Sequence, residues 1–220
     1  MTDKTPHTSI ERIGIDESGK GDYFGPLVVA AVFVDATTQG ELTLMQVRDS
    51  KKISDGRILQ IAPDIRLICP HSIVAIGPPR YNELYSKIRN LNRLLAWGHS
   101  KALETLLEKV SCGRAIADQF GDERLILNAL QEKGRTIALE QRHRAESDLA
   151  VAAASILARA EFLLRLKRLS DEIGTTLPKG ASPAVELAGR MIVKKHGEER
   201  LGSVAKLHFK TTQAILGKTD

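Results

Sequence analysis

Asp16-Glu17-Ser18-Gly19-Lys20-Gly21-Asp22-Tyr23-Phe24-Gly25-Pro26-Leu27 joins two short β-branched runs, Ile10 to Ile15 and Leu27 to Val34. Apolar runs of that length around a Gly-rich connector predict two strands and a turn. From Gly14 the segment also satisfies GxxxxGK, the first seven positions of a phosphate-binding loop. The next position should be Ser or Thr and is Gly21, and a strand rather than a helix follows. Asp16 and Glu17 would moreover put two carboxylates inside a phosphate cradle, so a P-loop nucleotidase is a near miss. Adjacent acids at a strand end, with no His or Cys cluster near them, instead suit hard cations such as Mg²⁺ or Mn²⁺. Two such ions about 3.5–4 Å apart can activate water and stabilise the leaving oxygen of a phosphodiester. Gly19-Lys20-Gly21 adds backbone N–H groups free of side chains and one cation, which can approach a sugar–phosphate backbone and its 2′-hydroxyl. Taken alone, the pair could equally be ordinary strand-end charge.

Working outward, Asp55 to Ile61 predicts a short helix and Leu67 to Ile76 a strand, closed by Gly77-Pro78-Pro79 as a breaker. From Tyr81 to Leu107 apolar residues recur at helical spacing, which implies one long helix or two in series. Ala115 to Ala117 is a three-residue apolar stub ending in Asp118, a short central strand. Leu125 to Leu130 is expected to be helical and Thr136 to Leu139 a strand. Leu149 to Leu169 and Pro183 to His196 form the final long helices. The order predicts an α/β fold with a central mixed β-sheet flanked by helices and a C-terminal helical extension. One compact domain over residues 1–220 is the simplest organisation.

Composition excludes several classes. The chain of 220 residues holds two cysteines, Cys69 and Cys112, too few for a disulfide scaffold or a zinc ribbon. Met1 to Ile10 lacks an apolar core for a signal peptide. The most apolar stretch, Leu149 to Leu166, carries Arg159, Glu161 and Arg165, so no membrane association is expected. A reducing, cytoplasmic setting follows. The net charge of +5 lies wholly in residues 150–220, with twelve basic and seven acidic side chains, which suits contact with a polyanion. The six histidines show no HxH or HExxH spacing, and no zinc site is expected.

The opening segment resembles the signature of ribonuclease HIII, a type 2 ribonuclease H; the related ribonuclease HII has Asp-Glu-Ala-Gly-Arg-Gly there. Further similarity follows in order at Arg48-Asp-Ser-Lys-Lys52, Tyr81-Asn-Glu-Leu84, Asn90-Leu-Asn92, Leu95-Ala-Trp-Gly-His99, Asp118-Gln-Phe120, Ala145-Glu-Ser147, Ala150-Val-Ala-Ala-Ala-Ser-Ile156, Leu177-Pro-Lys-Gly-Ala-Ser182 and Ala205-Lys-Leu-His-Phe209. These motifs run from about residue 13 to 212.

The resemblance implies a ribonuclease H-like fold and a metal-dependent endonuclease that cleaves the RNA strand of RNA–DNA hybrids. It places Asp16, Glu17, Asp118 and Glu146 as the four acids that hold Mg²⁺ or Mn²⁺, with Asp148 as the fallback for the fourth. It makes Ser18, Gly19, Lys20 and Gly21 the loop that reads ribose, and Ser50, Lys51 and Lys52 a second nucleic-acid contact. For each Lys, plain surface charge is the competing account. Ser155 and Arg159 are expected to be structural. The implied products carry 3′-hydroxyl and 5′-phosphate ends, and a monomer is expected. Family members commonly carry an added N-terminal substrate-binding domain. The first catalytic strand here begins near residue 10, so a catalytic domain alone is expected, with the basic C-terminal third supplying part of the grip. Ribonuclease HII supplies a C-terminal Tyr that stacks at an RNA–DNA junction, whereas Tyr23, Tyr81 and Tyr85 all lie in the first half. That argues against efficient cutting at single embedded ribonucleotides, which stays as the alternative activity beside an inactive hybrid-binding module.

Overall fold

The computed structural model describes residues 10–119, 124–129 and 137–217. Five strands form one sheet: β1 (Arg12–Ser18), β2 (Leu27–Val34), β3 (His71–Ile76), β4 (Arg114–Asp118) and β5 (Ala138–Arg142). The spatial order is β3-β2-β1-β4-β5, antiparallel from β3 to β1 and parallel from β1 to β5. The sheet is therefore mixed, as the pattern predicts, and β1 sits at its centre.

The helices are α1 (Ala36–Leu44), α2 (Asp55–Ile68), α3 (Pro78–Ile88), α4 (Leu91–Leu107), α5 (Arg124–Ala129), α6 (Leu149–Ile173), α7 (Pro183–His196) and α8 (Lys210–Leu216). They cover both faces of the sheet because β2 alternates. Val28, Ala30, Val32 and Val34 join a core with α2, α6 and α7, while Val29 and Ala31 pack with Ile13, Ile15 and α4 on the other side. Gly14 lets α6 approach β1 directly: a Cβ there would stand 2.1 Å from the backbone carbon of Ala150. The Ala-rich start of α6 and this glycine together bring the helix N-terminus onto the central strand.

Several boundaries differ from the sequence expectation. Helix α2 runs on to Ile68 despite Pro63 within it, so Leu67 and Ile68 belong to the helix and β3 begins only at His71. Burial of Ile58, Ile61, Ala62 and Ile65 against α6 and the sheet outweighs the hydrogen bond that Pro63 cannot donate. Pro78 and Pro79 start α3 rather than merely ending β3, since proline suits the first helical turn. The helical stretch after Tyr81 is two helices, separated where Arg89 takes a left-handed conformation with φ of 49°. β1 extends through Ser18, which puts Asp16 and Glu17 inside the strand. Leu130 and Thr136, at the ends of two expected elements, lie outside the described residues, as does Phe120.

Pairing within α6 leaves the C-terminal charge excess unchanged, whereas Arg159 and Lys179 meet Asp55 of α2, outside that segment. Arg165, Lys167 and Arg168 pair with Glu161, Asp171 and Glu172 along α6, and Lys206 is fully buried. Among the described residues no helix is long and apolar enough to cross a membrane.

Candidate active site

The first two acids are separated by the pleat of β1. Gly14 faces α6, so Asp16, two residues on, faces the same way, whereas Glu17 points toward α4. Parallel pairing of Ile15 with Ala117 brings Asp16 beside Asp118 at the carboxyl ends of β1 and β4. Asp118 Oδ1 accepts from the Ala145 N–H at 3.3 Å, which ties the third acid to the 3-10 turn Ala145–Ser147 that carries half-buried Glu146. Asp16, Asp118 and the Glu146 turn thus meet where α6 begins.

Burial pushes the Asp16 carboxyl well above its ordinary value, and the charge of Glu17 adds to this. The Glu17 N–H bonded to Asp16 Oδ1 at 2.8 Å and nearby Lys51 oppose the rise, while Asp118 reinforces it. Burial alone would raise Glu17 too, but His99 and Lys20 outweigh it and hold Glu17 below the usual carboxylate range. His99 Nε2–H donates to Glu17 Oε2 at 3.0 Å, and the imidazole is fully buried on α4. His99 follows Trp97 within a helical pattern, which predicts a packing or polar-network residue, and the structure shows the polar network. The available signal was a histidine on the apolar stripe of a helix, where a buried ring nitrogen must find a partner.

Asp148 does not stand free as an alternative fourth acid. Both its oxygens accept from Arg12 Nε at 2.7 and 2.9 Å, and Oδ1 caps α6 by accepting from the Ala150 N–H at 2.8 Å. Its chemistry is structural, since a shielded ion pair and a helix cap already satisfy it. Asp148→Asn is accordingly expected to cost about 3 kcal/mol of stability in urea unfolding, as breaking a shielded ion pair does. Glu146→Gln should leave the urea midpoint nearly unchanged and remove turnover. The opposite pattern would restore Asp148 to the acid set.

The remaining expected contacts divide. Gly19 has φ of +87°, and a Cβ there would lie 2.1 Å from the Pro26 carbonyl oxygen, so only glycine fits this turn. Ser18 is half-buried, Gly21 is exposed, and Lys20 Nζ turns back to Glu17 Oε1 at 3.5 Å. Lys51 and Lys52 are exposed on the 3-10 turn Ser50–Lys52, with Lys51 on the side of Asp16. Ser50 differs from expectation: it is buried, and its N–H donates to Ser155 Oγ at 3.2 Å. It supports the turn from within. Ser155 is likewise internal, as expected, and its hydroxyl donates to the Ala152 carbonyl.

Lys206 escaped sequence reasoning altogether. Its ammonium donates to the carbonyl oxygens of Asp22 at 2.6 Å and Gly25 at 2.8 Å, pinning the glycine loop to the C-terminal segment. Burial pushes it down to about 7, with the Asp22 charge opposing. A base depressed in the folded state binds fewer protons there than when unfolded, so its contribution makes stability rise between about pH 7 and 10.5. Lys206→Met should flatten that slope in urea unfolding at pH 7 and pH 9. An unchanged slope would assign the pH dependence elsewhere.

The donor set suits a hard divalent cation. All four side chains are carboxylates, and the upward shift of Asp16 marks a place where a positive charge would relieve repulsion. Among the described residues no three His, Cys, Asp or Glu side chains converge on one point.

Carboxylates grouped at the carboxyl ends of adjacent parallel strands, beside a glycine loop and an exposed Lys pair, define a nuclease of the ribonuclease H-like class. The ribonuclease HII family profile matches residues 13–212. Ribonuclease HIII of Protochlamydia amoebophila is 52% identical over 216 residues, spanning 98% of this chain and 70% of the relative. Ribonuclease HIII of Chlamydia abortus is 45% identical over 213 residues, spanning 95% and 71%. The crystal structure of Bst-RNase HIII in complex with Mn²⁺ superposes with a TM-score of 0.89 at 36% identity, covering 95% of this chain and 70% of that one. The chain belongs to the type 2 ribonuclease H family, with ribonuclease HIII.

Proposed function

We propose that the chain is a metal-dependent endoribonuclease that hydrolyses the RNA strand of RNA–DNA hybrids, leaving 3′-hydroxyl and 5′-phosphate ends. The observation that carries this reading is the placement of Asp16 beside Asp118, with the Glu146 turn bonded to Asp118. Asp16, Glu17, Asp118 and Glu146 would hold Mg²⁺ or Mn²⁺. Bound there, such ions neutralise charge on the phosphate and activate water. The protein's own groups set the geometry: His99 fixes the Glu17 carboxylate, and the helix packed on Gly14 fixes the Glu146 turn. The rigid left-handed turn at Gly19 presents Ser18 to Gly21 to the ribose edge, where a 2′-hydroxyl distinguishes RNA from DNA. Lys51 and Lys52 contribute positive charge along the phosphates. We read residues 1–220 as one catalytic domain, acting as a monomer in the cytoplasm.

The exposed Gly21 and Lys51 suit a continuous hybrid running past the acids. Comparing an RNA–DNA hybrid with a DNA duplex holding one ribonucleotide, each in Mg²⁺ and in Mn²⁺, tests both activity and subtype. Cleavage confined to the hybrid supports the reading. Preferential incision at the single ribonucleotide would give the ribonuclease HII-like activity instead, and cleavage of neither would leave a binding module.

A further inference from the structure

We propose that Lys179 and Gly180 form a strap that holds the two substrate-facing loops in register, with Asp55 as the positioning residue through which it acts. The inference rests on the hybrid-cleaving reading and assigns a role to the Leu177-Pro-Lys-Gly-Ala-Ser182 motif, which that reading leaves unused. Gly180 exchanges two hydrogen bonds with the glycine loop: its N–H donates to Asp22 Oδ1 at 2.6 Å, and its carbonyl accepts from the Tyr23 N–H at 2.9 Å. Gly180 has φ of +79°, a conformation that glycine takes at low cost.

One residue earlier, Lys179 Nζ donates to Asp55 Oδ2. Asp55 opens α2, which begins just after the Ser50–Lys52 turn. Its other oxygen accepts from Arg159 of α6 at 2.7 and 3.0 Å. Burial opposes ionisation of Asp55, but the bonds from Lys179 and Arg159 prevail and hold its carboxyl below the ordinary value. The path Asp55–Lys179–Gly180–Asp22 therefore links the Lys51 turn to the glycine loop without touching the acids. The half-open cavity beside this path, of about 220 Å³, is lined by Ser18, Asp22, Arg159, Phe162 and Lys179. Arg159 and Lys179 both bond the Asp55 carboxylate, and Asp22 also lines the cavity with its Oδ1 held by the Gly180 N–H, so two cations are set against two anions. That balance suits a brace and does not suit a phosphate pocket, which needs net positive charge.

A brace and a direct phosphate grip give opposite signs on one substitution. In the brace, Asp55→Asn and Lys179→Gln each raise KM for hybrid about five- to tenfold with kcat within about twofold. The double variant is then no worse than the more affected single one, because both break one path. In a phosphate grip, Asp55→Asn would lower KM by freeing two cations while Lys179→Gln raised it, and that result overturns the proposal. Hydrogen exchange on the full chain gives a readout without substrate. Asp55→Asn should speed exchange of the Tyr23 and Gly180 amides, and unchanged protection would likewise overturn the strap. A wild-type chain that cleaves no hybrid would sink the functional reading alone, because the exchange comparison still decides the strap.

Discussion

Asp16→Asn is expected to lower kcat on an RNA–DNA hybrid at least about 10³-fold, or about 4 kcal/mol of barrier, and at the same time to raise the melting temperature of the metal-free protein. The two effects share one cause. Asp16 is a half-buried carboxylate whose negative charge is disfavoured by desolvation and by Glu17 and Asp118. Removing that charge relieves repulsion that the fold otherwise carries, and each kcal/mol relieved raises Tm by about 2–4 °C in a chain of this size. The same removal takes away a ligand oxygen. Added Mn²⁺ should therefore raise the Tm of the wild type, since a ligand that binds only the folded state stabilises it. The variant should gain little. A variant that melts lower than wild type, or that still gains from Mn²⁺, would show that Asp16 is a structural acid.

His99→Leu has the second largest expected effect, and on both stability and turnover. Leu fills nearly the same volume on α4, so packing around Ala96, Leu95 and Leu103 is kept. What is lost is the His99 Nε2–H that donates to Glu17 Oε2 at 3.0 Å from α4. Glu17 then keeps the longer contact to Lys20 but loses its closer partner, a loss of about 3 kcal/mol. The sign with pH follows from the lowered Glu17 value: an acid depressed in the folded state contributes stability above its unfolded value and loses it as pH falls through the folded one. Wild type should thus lose more stability than the variant on acidification below about pH 4.5, the ordinary value for Glu. Turnover should fall about 10²-fold, as misplacing one reacting group does, with His99→Gln recovering part of it through its own side-chain N–H. Equal loss in the Leu and Gln variants would mean that His99 acts only by packing.

The architecture was legible where pattern and chemistry agreed. Leu27 to Val34 reads as a strand and is one over that whole range, because alternating Val and Ala residues are buried on both faces. Pro183 to His196 is marked by proline at its start and glycine just after its end, and it forms as read. The errors came from tertiary packing that outweighed local signals. The short helix expected over Asp55 to Ile61 runs on to Ile68, because the apolar face of α2 carries it past Pro63. Ser50 lay in a motif that suggested surface contact, but its environment is set by Ser155, more than a hundred residues away. The four acids could be named from motifs, yet their grouping depends on parallel pairing of β1 with β4, which no local pattern encodes. Lys206 and Asp55 work through partners distant in sequence, so single-residue chemistry gave no hint of their roles, whereas His99 on a helix pattern did point to a polar network.

The central claim is that Asp16, Glu17, Asp118 and Glu146 cut RNA only where it is paired with DNA. The most direct test incubates the full chain with an end-labelled RNA–DNA hybrid, with the matching DNA duplex and with the matching RNA duplex, in Mg²⁺ or Mn²⁺, and identifies the product ends. Asp118→Asn serves as the control. The account predicts internal cuts in the RNA of the hybrid alone, 3′-hydroxyl and 5′-phosphate ends, and no cutting by Asp118→Asn at a melting temperature no lower than that of the wild type. Cleavage of the DNA duplex at a similar rate, or full turnover by Asp118→Asn, would contradict it.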